Sequence, residues 1–178
     1  GSGQAAVALA SRFRRVIASD ASAAQIGHAQ AHAGVEYRVA PAEASGLPDA
    51  SIDIVTVAQA AHWFDLDAFY AEARRALKPG GLIALWGYEK LRLAPELARV
   101  VGHFYHGVLD GYWPPERALV ESGYRDLAFP FAEIAPPEFA MRADWTLDRL
   151  IGYFGTWSAV KNYRQALGTD PLPALRDE

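Results

Sequence analysis

Four short stretches carry side chains that could do chemistry together. The first is Gly1-Ser2-Gly3-Gln4, which leads into an apolar helical stripe. Glycine lets a ligand come up to the backbone, and a helix start offers free N–H groups. The second is Asp20, 17 positions after Gly3 and just past the apolar run RVIAS. An acid there can accept both hydroxyls of a ribose. The third is Ala42-Glu43, just past the run Val35 to Val39. The fourth is AQAAHWFD, Ala58 to Asp65, at the end of the run that starts at Ile52. It holds His62, whose unperturbed pKa of about 6.5 suits proton transfer, and Trp63, whose ring face attracts cations. On a shared rim the four would make a nucleoside-sized cleft. Each also has a plainer role open to it. Gly1 to Gly3 suit a simple turn or a cloning remnant, Asp20 the N-cap of the next helix, Glu43 a solvated loop, and His62-Trp63 a core plug.

The elements that must position these residues follow from apolar periodicity. Strands are expected at Arg15 to Ser19, Val35 to Val39, Ile52 to Ala58 and Leu82 to Trp86. A helical stripe of Ala6, Val7, Ala10 and Phe13 precedes the first. ASAAQIGHAQAHA reads as a helix with Ile26, Ala29 and Ala33 on one face, and Leu66 to Leu77 as an amphipathic helix. KPGG reads as a turn. Alternating helices and strands, the strands apolar on both faces, predict an α/β fold: a doubly wound, mostly parallel sheet. The 12 residues between Val39 and Ile52 show no helical stripe. They can span roughly 40 Å when extended, enough to cross a sheet whose strands lie about 4.8 Å apart. Such a reversal in strand order is where open α/β sheets bind ligands.

The second half is less regular. A stripe runs from Leu97 to Val108, Pro114-Pro115 opens a short helix, and a strand is expected at Asp126 to Phe131 near a sheet edge. APPEFAMRADW reads as an irregular arm, and helix resumes at Leu147 with interruptions near Gly152 and Gly155. One domain is expected over 1–178, with a cofactor-binding core at 1–88 and a helical, aromatic cap and edge region at 89–178.

Composition sets limits on function. The net charge of -4 gives no electrostatic case for nucleic acid or an anionic membrane. The absence of cysteine removes disulfides, thiolate metal sites and a Cys nucleophile. No apolar run reaches the length of a membrane span and no signal peptide is visible, so the expected location is cytoplasmic. The chain opens inside what reads as a glycine-rich motif. A first strand before it is expected to be missing.

The stretches GSGQ, VIASDAS, APAEASGLPDASIDIV, AQAAHWFD and EARRALKPGGLIALWGY occur in this order over residues 1 to 88. In this they resemble class I S-adenosylmethionine-dependent methyltransferases of the small-molecule type, methyltransferase type 11, with a Rossmann-like fold. AHWFD with WGY, and TWSA at Thr156 to Ala159, resemble more narrowly the trans-aconitate methyltransferase-like branch. The resemblance implies S-adenosyl-L-methionine as cofactor and a small-molecule acceptor, a carboxylate in that branch. It places Gly1, Ser2 and Gly3 on the loop holding the methionine part, Asp20 on the ribose and Ala21 beside the adenine. Ala42 and Glu43 fall on the adenine edge, and Ala58 and Gln59 beneath the sulfonium. Pro41 stands where many relatives carry an Asp.

Methyl transfer from a sulfonium needs nucleophile, methyl and sulfur held in line. Trp63, Tyr88 and Trp86 offer aromatic faces to the cation, Trp86 being equally suited to a core. His62 is the candidate general base for an acceptor that must lose a proton. A carboxylate acceptor would need positioning cations instead, with Lys90, Arg92, Arg142, Lys161 and Arg164 available. No metal is expected: His28 with His32, and His103 with His106, have helical spacing but no third ligand. Two other readings stay open. Gly1 to Ala6 also fit a G-x-G-x-x-A fingerprint of an NAD(P)-dependent oxidoreductase, and a non-catalytic module could keep the fold alone.

Overall fold

The computed structural model describes residues 1–88, 91–137 and 139–178. The chain forms two compact units, Gly1–Tyr88 and Glu89–Glu178.

The first unit runs α1 (Gln4–Ala10), β1 (Val16–Asp20), α2 (Ala23–Gly27), β2 (Val35–Val39), β3 (Ile52–Ala58), a 3-10 turn (Ala61–Trp63), α3 (Leu66–Ala76) and β4 (Leu77–Trp86). β1 pairs in parallel with β2 from Val16↔Val35 to Asp20↔Val39. β3 pairs in parallel with β4 and ends at Ala58↔Trp86. The α/β character and the parallel strands match expectation. Among the described residues the strands form two separate ladders, β1-β2 and β3-β4.

Local chemistry explains the elements and two departures. α3 starts where the Asp65 carboxylate accepts the Ala68 N–H at 3.2 Å, and it buries Phe69, Tyr70, Ala73 and Ala76. α2 stops at Gly27 rather than near Ala33. Beyond it, the Gln30 N–H donates to the Ser2 carbonyl at 3.0 Å and the Tyr37 hydroxyl donates to the Gln30 carbonyl at 2.6 Å. These bonds draw the chain out of helix and onto the glycine-rich turn. KPGG does turn, but inside a strand. Leu77 faces Ile52 and Leu82 faces Ile54, so Lys78 to Gly81 bulge out opposite Asp53. Gly80 takes a φ of 77° there, which favours glycine.

The link from Val39 to Ile52 is helix-free, as expected, and is clamped to α3. Glu72 accepts the Ser45 N–H at 2.9 Å and the Ser45 hydroxyl. Its carboxylate also takes two bonds from Arg75, which reaches Asp49 as well.

The second unit is helical among its described residues: α4 (Pro95–His103) leading into a π-helical turn at Phe104–Val108, α5 (Arg117–Glu121), α6 (Leu147–Phe154), α7 (Ser158–Leu167) and α8 (Leu172–Asp177). Phe104, Leu109, Phe154, Ala159, Val160, Leu172 and Leu175 form its core, with Trp157 and Tyr153 packed against them. Asp126 to Phe131 is not a strand. Gly123 and Tyr124 adopt φ of 62° and 60°, and the Leu127 N–H turns back to the Tyr124 carbonyl at 3.1 Å. Pro130 then has no N–H for a ladder. Gly152 lies within α6, and only Gly155 ends it. No helix among the described residues is long and apolar enough to cross a membrane.

The Glu72 clamp predicts a pH dependence. The Arg75 bonds come first, and with the two Ser45 bonds they outweigh burial and hold the carboxyl at about 2, below its ordinary 4.5. A lowered folded pKa means the contribution is complete above about pH 4.5 and is lost as pH falls toward 2. Glu72→Gln is therefore expected to lower the melting temperature by roughly 2–4 °C at pH 7. In thermal scans the gap from the parent protein should close as the pH drops through that window.

Candidate functional site at the carboxyl ends of the strands

At the end of β1, the Asp20 carbonyl accepts the Ala40 N–H at 3.1 Å, holding the exits of β1 and β2 together. The Asp20 side chain uses both oxygens. Oδ1 accepts the Ser22 N–H at 2.8 Å, and Oδ2 accepts the Gly1 ammonium. Partial burial works to raise its pKa, but the bonds from the Gly1 ammonium and the Ser22 N–H win and hold the carboxyl below the usual carboxylate range. The N-cap of α2 is Ser22, whose hydroxyl accepts the Gln25 N–H at 3.3 Å. The cap role open to Asp20 in the sequence is thus filled by its neighbour, and Asp20 faces the glycine-rich turn. Ala21 is exposed beside it.

That turn is built around Gly3, at the N-cap of α1 with φ 89° and ψ -2°. A Cβ there would sit 2.3 Å from the Tyr37 hydroxyl oxygen and 3.2 Å from the Gln30 nitrogen. No side chain fits. A Cβ on Gly1 would meet nothing within 4 Å, and the Ser2 carbonyl is the acceptor for Gln30.

Glu43 is half-buried, not a freely solvated acid. Its Oε1 accepts the Asp65 N–H at 3.0 Å, and Ala42 lies in the same turn. This bond ties the loop after β2 to the loop after β3. Ala58 ends β3, and Gln59 follows with φ 52°. Left-handed backbone at a non-glycine residue costs about 1 kcal/mol or more and needs support. The Gln59 N–H donates to the Trp86 carbonyl at 2.8 Å, and its side-chain Oε1 accepts the Tyr88 N–H at 2.8 Å. Gln59 therefore fastens the exit of β3 to that of β4.

His62 and Trp63 sit in the 3-10 turn with ring centroids 4.8 Å apart. His62 is half-buried. Trp63 is 56% exposed, so the plug reading fails for it. Trp86 is 42% and Tyr88 48% exposed, which also removes Trp86 from the core. Three large aromatic surfaces thus lie open after β3 and β4. The structure brings Gly1, Ser2, Gly3, Asp20, Ala21, Ala42, Glu43, Ala58, Gln59, His62, Trp63 and Tyr88 to the strand exits, through contacts that pass from one loop to the next.

Other sequence candidates separate. His28 caps the end of α2 and His32 lies outside it, so their helical spacing is lost. His103 is on α4 and His106 in the π-helical turn. Among the described residues no cluster of three metal-binding side chains occurs. Arg164 is paired with Asp170 at 2.9 Å and is not available as a positioning cation. Arg92, Arg142 and Lys161 are exposed in the second unit, and Lys90 lies outside the described residues. Sequence reasoning missed Ser22, Gln30, Tyr37 and Asp65. The Asp-x-Ser spacing before a helix signals the first. Gln30, Tyr37 and the Asp65 N–H bond to groups distant in the sequence, through contacts that only the fold creates.

With this geometry in place, comparison with known proteins identifies the class. Residues 1–85 match a methyltransferase domain family. A proposed methyltransferase of Dictyostelium discoideum is 37% identical over 180 residues, covering 99% of this chain and 68% of that protein. The structure of a proposed type II methyltransferase from Anaeromyxobacter dehalogenans superposes with a TM-score of 0.89 at 51% identity, over 98% of this chain and 74% of that one. A ubiquinone/menaquinone biosynthesis C-methyltransferase of Rubrivivax gelatinosus is 38% identical over 84 residues, 46% of this chain and 34% of that protein. The chain belongs to the S-adenosylmethionine-dependent methyltransferase family. The nicotinamide and non-catalytic readings give way to this one.

The Gly3 contact makes a structural prediction. Gly3→Ala is expected to cost about 1–3 kcal/mol, from a left-handed φ and a collision with Tyr37. Urea denaturation of Gly3→Ala, Tyr37→Phe and the double variant should show a double cost below the sum of the singles, because Phe removes the clashing oxygen.

Proposed function

We propose that the strand-exit rim of the first unit holds S-adenosyl-L-methionine, and that the protein transfers its methyl group to a small-molecule acceptor, a carboxylate by the resemblance to the trans-aconitate methyltransferase-like branch. The observation that supports the reading is the set of contacts Asp20–Ala40, Glu43–Asp65 and Gln59–Tyr88, which link the loops that carry the candidate residues.

The residues fit such a nucleoside. Asp20 is held on the ionised side, and the oxygen not fixed by Ser22 faces the glycine-rich turn, where a ribose hydroxyl pair would bind. When bound, the cofactor supplies a methyl group already activated on a sulfonium. Asp20 would orient the ribose, Ala21, Ala42 and Glu43 the base, and the Gly1 to Gly3 backbone the amino-acid end. Ala58 and Gln59 would form the floor below the sulfur. Trp63 and Tyr88 offer exposed faces that suit a cation, each worth roughly 0.5–2 kcal/mol. His62 would take the acceptor's proton where one must leave, and an already ionised carboxylate needs no such step.

The test separates binding from folding at adjacent positions. In calorimetry with S-adenosylhomocysteine, Asp20→Ala is expected to weaken affinity at least tenfold. Ser22→Ala should lose about 0.5–2 kcal/mol of stability by removing the α2 cap while affinity changes less. Equal affinities for Asp20→Ala and the parent protein would contradict the assignment. His62→Ala is expected to lower kcat more than it weakens cofactor binding. A loss of melting temperature that accounts for the whole drop in activity would make His62 a packing residue instead.

A further inference from the structure

The second unit contains a cavity of its own, about 240 Å³, that the cofactor reading does not use. It lies against α4, the π-helical turn and α5. Its lining combines the aromatic side chains of Tyr105, Tyr153 and Trp157 with the aliphatic ones of Leu91 and Val101. Among the described residues of the lining, Arg117 carries a fixed positive charge, and His106 is also part of the lining.

Arg117 is held rigidly. Its Nε donates to the Tyr105 hydroxyl at 2.8 Å, and its guanidinium lies over the Trp113 ring at 5.0 Å and the Tyr105 ring at 5.6 Å. The Tyr105 hydroxyl in turn donates to Glu121. Burial first, then the Glu121 bond, push the Tyr105 hydroxyl up to about 12, so it stays a protonated link between the two charged groups. Tyr105 itself is fixed by stacking on Trp113 at 4.3 Å and by the Trp113 indole N–H, which donates to its carbonyl at 3.1 Å. Occupation of Nε leaves the two terminal nitrogens of the guanidinium as a fork matched to a planar two-oxygen anion. Aromatic walls favour a flat apolar body behind that anion. The volume falls below the roughly 300–1,000 Å³ of pockets for drug-sized ligands, so the ligand must be small.

We propose that this cavity binds a small, flat, apolar monocarboxylate, with Arg117 pairing with the carboxylate and Tyr105, Tyr153 and Trp157 packing on the body. This claim concerns binding alone and stands whatever the fate of the cofactor assignment.

Benzoate is the probe, with benzamide as its neutral isostere and inorganic phosphate as an anion without an apolar body. Titration calorimetry on the full chain without cofactor should show benzoate binding at least tenfold tighter than benzamide, with phosphate weaker still. Arg117→Gln should remove that preference. Gly102→Leu leaves every charged group in place and puts a side chain into the cavity from helix α4. It should abolish benzoate binding while the far-ultraviolet circular dichroism is retained. Because Gly102→Leu tests volume alone, it decides the matter even where Arg117→Gln fails to fold. The proposal is overturned if the parent protein does not bind benzoate, if benzamide binds equally well, if phosphate binds more tightly, or if Gly102→Leu binds as the parent does.

Discussion

The bond from the Asp65 N–H to the Glu43 carboxylate joins the two halves of the first unit where they do their work. On one side stand β1 and β2, on the other β3 and β4, each a two-stranded parallel ladder. Ladders of that size are marginal alone. Burial in this unit is concentrated on Val57, Ala61 and the inner face of α3, with Ala6 from α1. The loops at the strand exits are therefore held in large part by hydrogen bonds: Asp20 to Ser22 and Gly1, Glu43 to Asp65, and Gln59 to Tyr88. Polar groups that shape a rim also remain available to a ligand, because they are only partly buried.

That economy suits methyl transfer. A sulfonium methyl donor releases a neutral thioether and needs little chemical activation, so the protein's contribution would be position and electrostatic complement. In the proposed site an ionised Asp20 and the exposed faces of Trp63, Trp86 and Tyr88 would supply both. The turn facing Asp20 depends on Gly3, because a Cβ there would collide with the Tyr37 hydroxyl.

Much of this was legible in the sequence, for reasons that differ by element. β2, β3 and α3 follow from apolar periodicity, and the strand exits follow from where each run stops. Asp65 caps α3, a role its place ahead of the amphipathic stripe suits. What the sequence hid depended on distant partners. The stripe of Ile26, Ala29 and Ala33 suggested a long α2, but Ser2 and Tyr37 capture Gln30 and end it early. Asp126 to Phe131 had strand composition, but Gly123 and Tyr124 turn the chain ahead of it and no strand forms there. The Arg117–Tyr105–Glu121 linkage left no sequence signal. It arises where α5 meets the π-helical turn, a departure from regular helix that periodicity does not register.

The central claim is that separate strand exits act as one binding surface. Backbone amide hydrogen exchange with and without S-adenosylhomocysteine tests it directly. The account predicts that the ligand slows exchange together at Gly3, Ala21 to Ser22, Ala42 to Glu43 and Gln59 to Trp63. Protection confined to one of these loops, or found only in the second unit, would contradict it.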